Sequence, residues 1–190
     1  EVPDQSQTDY VARMPEGQDK IYYVAADNFQ TGRNSPHLEV FRKKGIEVVL
    51  LHDRIDEWLM GHLMEFDGKE FQDVARGELN LSDIGKEADE SADASDDSSA
   101  GTQRDGLIER LKELFGDDVE DVRTTDRLTD SPACLVVGED DMGMQMRRIL
   151  EAAGQDVPAN KRIFEINPSH PLVERLDAEQ DLDQFNELSR

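Results

Sequence analysis

The chain has 190 residues, of which 36% are hydrophobic, and this is enough for one ordinary domain or two small ones. Lys and Arg number 21 against 44 Asp and Glu, so the net charge is −23. A surface this acidic repels nucleic acid and anionic membranes, which argues against both as partners.

Two further features of the sequence bear on where the protein works. No stretch approaches the roughly 20 apolar residues of a membrane span, and the first residues are unlike a signal peptide. Cys134 is the only cysteine, which excludes an internal disulfide and a thiolate-cluster metal site. We therefore expect a buried thiol, a reducing compartment and a cytoplasmic location. Because the chain does not begin with Met, we also expect it to be part of a longer protein.

The first predicted elements form a small parallel α/β unit. Residues 21–26 are a short apolar run typical of a buried strand, and residues 46–51 form a second one. Between them, Ser35 and Pro36 predict the start of a helix and Gly45 predicts its end. Strand, helix and strand in this order predict a parallel pair with a right-handed crossover.

Two more elements and an acidic boundary follow along the chain. A helix is predicted over residues 54–63, and Asp67-Gly68 predicts a hairpin turn between two strands. Residues 85–104 contain no apolar residue larger than Ala, so they cannot bury a face. We interpret them as an acidic linker or the start of a helix, which divides the chain into domains at residues 1–84 and 105–190.

The second half has the pattern of an α+β unit. Its apolar spacing predicts three strands and several amphipathic helices. The predicted strands are residues 119–124, 132–137 and 162–166, and the predicted helices are residues 107–115, 140–154, a short one from Pro171 and a last one from Asp177. The predicted fold is therefore two small domains of the α/β and α+β classes. The first has a parallel βαβ core flanked by helices, and the second has a small sheet with amphipathic helices.

No catalytic or metal-binding motif stands out in the sequence. Phosphate loops, nucleophile elbows and the HExxH and CxxC patterns are absent. The histidines at positions 37, 52, 62 and 170 share no ligand spacing, which favours surface or capping roles. The adjacent carboxylates Asp56-Glu57 and Asp140-Asp141 are explained more simply as partners of helix dipoles than as acid/base pairs. The residues alone name no reaction.

One predicted helical face contains Trp58, the only tryptophan of the chain. It shares the face with Ile55, Leu59 and Leu63 at helical spacing, and core packing is the simpler explanation of such a stripe.

The predicted helix over residues 140–154 is rich in methionine and admits two interpretations. A helix that is apolar on one face ordinarily docks on a sheet. Unbranched Met side chains also repack against many shapes, so the same face suits the binding of varied apolar surfaces. The residues on this face are Met142, Met146, Ile149, Leu150 and Ala153.

Three segments of the chain resemble the heat shock protein 90 family, and its bacterial members in particular. Residues 35–48 (SPHLEVFRKKGIEV), with DRIDEW at residues 53–58, resemble the last α/β portion of that family's middle domain. RLTDSPA at residues 127–133 resembles a signature of its C-terminal domain, and INPSHPLV at residues 166–173 is similar to a further hallmark of that domain. The resemblance covers nearly the whole chain and is weakest over residues 87–104.

The resemblance implies an ATP-driven, dimeric chaperone of the stress response. Its ATP and Mg²⁺ site belongs to an N-terminal domain that lies outside this chain, so we expect no ATPase activity, no cofactor and no metal here. The dimerisation helices of the family continue past Arg190, so this chain holds only the beginning of the element that makes the homodimer.

The resemblance also implies partners and a site. Partly folded client proteins are the expected partners, and no catalytic residue is expected. The family's client-binding surface maps onto Glu57 and Trp58 on one side. On the other side it maps onto Met142, Met146, Ile149 and Leu150. This mapping favours partly exposed faces over core packing at both places.

Two alternatives from other classes stay open. In the first alternative, the chain is a purely structural or dimerisation module, and clients bind to another part of the protein. In the second it is a small α/β enzyme acting on a polar metabolite at the strand ends after Ala26 and Leu51, where such folds bind ligands. The second alternative lacks any nucleophile, base or phosphate loop at that place.

Overall fold

A computed structural model describes residues 6–79, 81, 84, 98–139, 141, 147, 150–155 and 161–189, with only the backbone described over residues 98–105. These residues form a four-stranded sheet followed by a three-stranded sheet, each accompanied by helices. The mixed α/β composition with two small sheets confirms the predicted fold class.

The first sheet has the strand order β2-β1-β4-β3. Its strands are β1 (Lys20–Ala25), β2 (Val49–Leu51), β3 (Glu65–Phe66) and β4 (Lys69–Asp73). β1 lies parallel to both β2 and β4, and β3 runs antiparallel to β4. The parallel pairing of β1 with β2 confirms the prediction made from the strand–helix–strand order. The accompanying helices are α1 (Gln7–Ala12), α2 (Phe29–Arg33), a 3-10 turn (Pro36–Leu38), α3 (Glu39–Lys44) and α4 (Asp56–Met60).

β2 is shorter than the predicted strand over residues 46–51 because its first residue belongs to a helix end. Gly45 terminates α3 in the left-handed region, with φ of 67°. The N–H of Ile46 then donates to the carbonyl of Phe41 at 2.8 Å, and Ile46 is buried in the first core. This bond between residues five apart is the usual way to close a helix on a glycine, and it takes Ile46 out of the strand.

Other local predictions in the first half hold in part. Pro36 begins helical structure as predicted, although the Ser35 side chain makes no capping hydrogen bond and a 3-10 turn precedes α3. Asp67 and Gly68 have φ of 52° and 71° and form the predicted hairpin turn between β3 and β4. The helix predicted over residues 54–63 is confined to α4, at Asp56–Met60.

The second sheet has the strand order β5-β7-β6, with β7 parallel to β5 and antiparallel to β6. The ranges of β5 and β7 match the predicted strands, and β6 is one residue shorter at each end. The elements are α5 (Ser98–Phe115), β5 (Val119–Thr124), β6 (Ala133–Val136), β7 (Arg162–Ile166), α6 (Pro171–Ala178) and α7 (Leu182–Ser189). The predicted helix over residues 140–154 is described only at residue 147 and at residues 150–155, of which Arg147 and residues 150–152 are helical.

The prediction of a last helix from Asp177 is wrong, because that residue lies in the final turn of α6. The last helix, α7, begins at Leu182 instead. The carboxylate of Asp181 accepts hydrogen bonds from the N–H groups of Asp183 (3.0 Å) and Gln184 (3.1 Å), which caps the new helix. Arg110 of α5 donates to the carbonyls of Asp177 and Glu179 and so satisfies the end of α6.

Each sheet has its own apolar core, and a third small cluster lies beside β6. The first core includes Tyr22, Val24, Phe41 and Val74, and the second includes Leu111, Val122, Ile166 and Phe185. The third contains Leu128, Val136 and Cys134, which is buried as predicted. Burial raises the pKa of the Cys134 thiol to about 12. None of the helices in the described part of the chain is long and apolar enough to cross a bilayer.

Candidate functional site

The α4 helix and its flanks present four large apolar side chains to solvent. Ile55 is 70% exposed, Trp58 55%, Leu59 45% and Met64 70%. Core packing, the simpler explanation of the stripe that contains Trp58, is therefore wrong for these residues. Only Leu63, the last member of the predicted stripe, is half-buried.

Local hydrogen bonds explain why α4 forms and where it ends. The carboxylate of Asp56, in the first turn, accepts a hydrogen bond from the N–H of Asp53 at 2.9 Å. Two acidic residues in this first turn also complement the helix dipole. The C-cap of the helix is Gly61, whose N–H donates to the carbonyl of Glu57 at 3.2 Å.

The His62 ring packs against the exposed indole of Trp58. Its Nδ1 lies 2.9 Å from the carbonyl oxygen of Trp58, and the two ring centroids are 4.6 Å apart at an interplanar angle of 41°. A large aromatic group that is exposed and already held by a neighbour loses little side-chain freedom when it binds a partner.

Glu57, the neighbour of Trp58, has a different environment. It is half-buried, and its charge acts on Tyr23 of β1 and Asp73 of β4, which are paired in the sheet. Burial raises the pKa of Tyr23 to about 12, and the charge of Asp73 and then of Glu57 adds to this effect. Burial also raises the pKa of the Asp73 carboxyl, and Glu57 raises it further. Glu57 is therefore close enough to these two groups for its charge to act on both, while its neighbour Trp58 is exposed.

The second predicted side of the site is described only in part. Met142, Met146 and Ile149 lie outside the described residues. Leu150 is helical and half-buried, and its carbonyl accepts a hydrogen bond from the N–H of Gln155 at 3.0 Å. The structure therefore places Glu57, Trp58 and Leu150 among the six residues that the sequence singled out.

A buried ion cluster, which the sequence did not reveal, joins the two sheets. Arg127 is only 4% exposed, and its guanidinium donates to the carbonyls of Val74 (2.7 Å) and Gly77 (2.6 Å) at the end of the first sheet. Its Nε forms an ion pair with Oε2 of Glu165 at 2.7 Å, although the two atoms are not aligned for a hydrogen bond. Glu165 is only 1% exposed. Arg123 contacts the other carboxylate oxygen of Glu165 at 2.7 Å.

A second polar contact clamps the loop before β6 onto α3. The carboxylate of Glu39 accepts hydrogen bonds from the backbone N–H groups of residues 129–131 at 2.8–3.0 Å and from the Ser131 hydroxyl. The Asn167 side chain donates to the carbonyl of Ser131 at 3.3 Å, and its N–H donates to that of Pro132 at 2.8 Å. The three segments on which the sequence resemblance rests therefore meet at the junction of the two sheets.

His37 lies in the 3-10 turn just before Glu39 and is buried in the same junction. Burial and the nearby charges of Arg127 and Arg162 lower the pKa of His37 to about 4. Its Nδ1 has no hydrogen-bond partner within the described part of the chain. A neutral histidine therefore occupies the junction at physiological pH.

One signal in the sequence points to this junction. Glu165 is a carboxylate inside the otherwise apolar run of β7, and a charge in such a strand requires a partner when it is buried. Nothing in the local pattern, however, identifies Arg127 as that partner. Among the described side chains, no group of three or more His, Cys, Asp or Glu is arranged to hold a metal ion.

Comparison with known families gives one match that spans almost the entire chain. The family model described as Hsp90 protein matches residues 4–189. This range contains all three resembling segments, both sheets and the exposed face of α4. The chain therefore belongs to the Hsp90 family of chaperones.

Proposed function

We propose that this chain binds partly folded client proteins through the exposed face of α4, as the client-facing part of an Hsp90-type chaperone similar to those of bacteria. In this proposal residues 1–84 are the end of the middle domain, and residues 105–190 are most of the C-terminal domain. The observation that carries the proposal is the cluster of exposed apolar side chains around Trp58. Large apolar groups of a soluble protein that remain in water mark a surface for another molecule.

The size of this face suits weak and reversible binding. Burial of each large apolar side chain contributes about 1.5–3 kcal/mol before the entropy costs of association. A few such contacts give dissociation constants on the order of micromolar. A chaperone has to release its clients, so weak binding is an advantage.

The charge around α4 favours clients that carry basic as well as apolar side chains. Between residues 53 and 70 there are six acidic residues and two basic ones. The acidic residues are Asp53, Asp56, Glu57, Glu65, Asp67 and Glu70, and the basic ones are Arg54 and Lys69. Opposite charge steers an encounter and limits wrong partners.

The remaining parts of the proposal concern the full-length protein. Met142, Met146, Ile149 and Leu150 form the second side of the client surface. ATP and Mg²⁺ bind in an N-terminal domain outside this chain and drive the movement of the two sides. The full-length protein works as a homodimer in the cytoplasm.

The experiment that tests client binding uses Trp58 as its own reporter. A tryptophan-free, partly unfolded protein is titrated into the chain while Trp58 emission is followed. We expect a saturable change, weakened at least about 10-fold by Ile55→Ser with Leu59→Ser, because two exposed apolar contacts are lost. Met142→Ser with Met146→Ser tests the second side in the same way.

A matched control removes an exposed leucine elsewhere. Leu182→Ser replaces an exposed apolar residue at the start of α7, and it should bind clients like the parent chain. Absence of any emission change with the folded parent chain, or equal weakening by all three variants, would count against the proposed site.

A second candidate function is a structural module that pairs with another copy of itself. Leu172 in α6 and Leu182 and Leu188 in α7 are exposed apolar residues, which favours a contact at this end of the molecule. Light scattering distinguishes the two functions. A tight dimer that Leu172→Ser with Leu188→Ser dissociates, together with unchanged client binding by the α4 variants, would support the structural module.

A further inference from the structure

The chain that follows β4 is held against the end of β6 by backbone hydrogen bonds around Arg76. Arg76 forms an isolated parallel bridge with Val137, the residue after β6. The N–H of Val137 donates to the carbonyl of Ala75, and the N–H of Gly77 donates to the carbonyl of Val137, both at 3.0 Å. The main chain of the first sheet is thus paired with that of the second at this point.

The Arg76 side chain adds contacts both to the turn after β6 and to β4. Its Nη1 donates to the carbonyl of Glu139 at 3.1 Å and to that of Asp141, in the turn that follows β6. Its Nε lies 4.0 Å from Oδ2 of Asp73, the last residue of β4, and both side chains are largely shielded from water. One guanidinium therefore binds two carbonyls of the second half and a carboxylate of the first.

The charge of Asp73 lies beside this contact, and other charges act on it. The charge of Glu57 in α4 acts on Asp73 and on Tyr23, and the charge of Arg76 acts on the same two residues with opposite sign. Two like charges close to each other repel, and a nearby cation reduces that repulsion. Arg76 lies 4.0 Å from the Asp73 carboxylate, and the charge of Arg127 also acts on it.

We propose that Arg76 is a positioning residue that fixes the first sheet, together with the α4 helix that connects its strands β2 and β3, relative to the second sheet. In this proposal client affinity depends on this fixed geometry. The inference rests on the client-binding role proposed above, but it concerns a residue that touches no client. A preorganised surface binds more tightly because less freedom is lost on association.

The neighbouring contacts make this proposal testable, because they keep the protein folded without Arg76. Arg127 still binds the carbonyls of Val74 and Gly77, and Glu39 still binds residues 129–131. Arg76→Gln should therefore fold, and the loss of the two bonds to the turn after β6 should let the two sheets move more relative to each other than they do with Arg76. Arg76→Lys keeps the charge near Asp73 but cannot reach both carbonyls with a planar group.

The first measurement is a distance distribution between two spin labels in the 190-residue chain. Labels at Arg54→Cys, beside α4, and at Ala152→Cys, in the second half, report the relation of the two parts in a Cys134→Ala background. We expect a narrow distribution with Arg76, a broad one with Arg76→Gln and an intermediate one with Arg76→Lys. The control Arg175→Gln removes an exposed arginine of α6 and should keep the narrow distribution.

The second measurement is client affinity in the unlabelled variants, read from Trp58 emission. We expect Arg76→Gln to weaken binding about 3- to 10-fold and Arg76→Lys to restore part of the loss. An unchanged distance distribution in folded Arg76→Gln overturns the proposal, and so does a broad distribution with unchanged affinity. If the parent chain itself binds no client, the client-binding function fails, and the distance measurement alone decides whether Arg76 sets the geometry.

Discussion

Individual buried charges hold the two halves of this protein together. Arg127 and Glu165 are almost completely removed from water, and an unpaired charge in such a place costs several kcal/mol. The guanidinium of Arg127 contacts Glu165 and donates to two carbonyls at the end of the first sheet. Arg123 contacts the other oxygen of the Glu165 carboxylate. The cluster is therefore stable only as a set, and the removal of one member is expected to be costly.

Arg127→Met tests this expectation at the level of stability. It leaves Glu165 with one cation instead of two, removes the donor to the carbonyl of Val74, and leaves the carbonyl of Gly77 with only the 3.4 Å bond from Arg123. We expect the free energy of unfolding to fall by about 3–5 kcal/mol, measured by urea denaturation followed by circular dichroism. The control Arg175→Met removes an exposed arginine and should change stability by less than about 0.5 kcal/mol. A loss as small as that of the control would show that the cluster contributes little.

The lowered pKa of His37 predicts that the free energy of unfolding depends on pH in the acidic range. Its pKa is lowered from 6.5 to about 4 in the folded protein, so the unfolded chain takes up a proton in this interval and the folded one does not. The free energy of unfolding therefore falls as pH drops from about 6.5 to about 4, by up to about 3 kcal/mol from this residue. Urea denaturation at several pH values across this range measures the free energy of unfolding. This free energy should fall less steeply with decreasing pH in His37→Gln than in the parent chain.

The exposed histidine His52 provides the matched control for the acid slope. His52→Gln should keep the slope of the parent chain, since its replacement does not change the junction. Equal slopes for the parent and for His37→Gln would contradict the role of His37. The pKa of Glu39 is lowered by its hydrogen bonds to residues 129–131 against the effect of burial, so its contribution to stability is lost below about pH 4.5, equally in both proteins.

At the scale of elements, particular residues set the ends of several short helices, namely α3, α4 and α7. Gly45 closes α3, Gly61 ends α4, and Asp181 starts α7 soon after α6 has ended. The end of α3 fixes Ile46 in the first core, and the end of α4 leaves Trp58 under His62 at the surface. The positions of the helix ends therefore influence which apolar residues are buried and which remain exposed to solvent.

Two glycine substitutions of opposite effect test this view. Gly45 has φ of 67° and no atom within 4 Å of an added Cβ, so Gly45→Ala should cost about 1–2 kcal/mol from backbone strain alone. Gly106, inside α5, has equally open space but no left-handed φ, so Gly106→Ala should stabilise by about 0.5–1 kcal/mol. Thermal unfolding of both variants gives the comparison, and a change of the same sign in both would contradict it.

At the scale of the whole molecule, acidic charge accompanies the exposed apolar face. The net charge is −23, and the segment around α4 shares this excess. Attraction between exposed charges weakens with salt, whereas the burial of apolar side chains does not. Salt therefore separates the two contributions to client binding.

The charge contribution predicts a clear dependence on salt. Affinity for a client peptide with alternating lysine and leucine should fall about 10-fold or more as KCl rises from about 0.05 to about 0.5 M. A peptide with glutamate in place of lysine should bind weakly at low salt and improve as salt rises. Trp58 emission measures both titrations, and equal affinities for the two peptides at low salt would remove the preference for basic clients.

The parts of the fold that were predicted correctly depend on short stretches of sequence. β5, β7, the Asp67-Gly68 hairpin and the helix start at Pro171 each have their turn residues or apolar pattern within a few positions. The family is likewise contained in three linear segments. Local interactions specify such features, so no knowledge of distant contacts is needed to find them.

The tertiary structure alone decided the rest of the site and the junction. The helical spacing of Ile55, Trp58 and Leu59 shows that they share a face, but the spacing does not say whether another element covers it. The pairing of Arg127 with Glu165 joins residues 38 positions apart in sequence, and no periodicity reports such a contact. Sequence patterns determine which side chains point the same way, whereas burial and charge pairing depend on what the rest of the chain places against them.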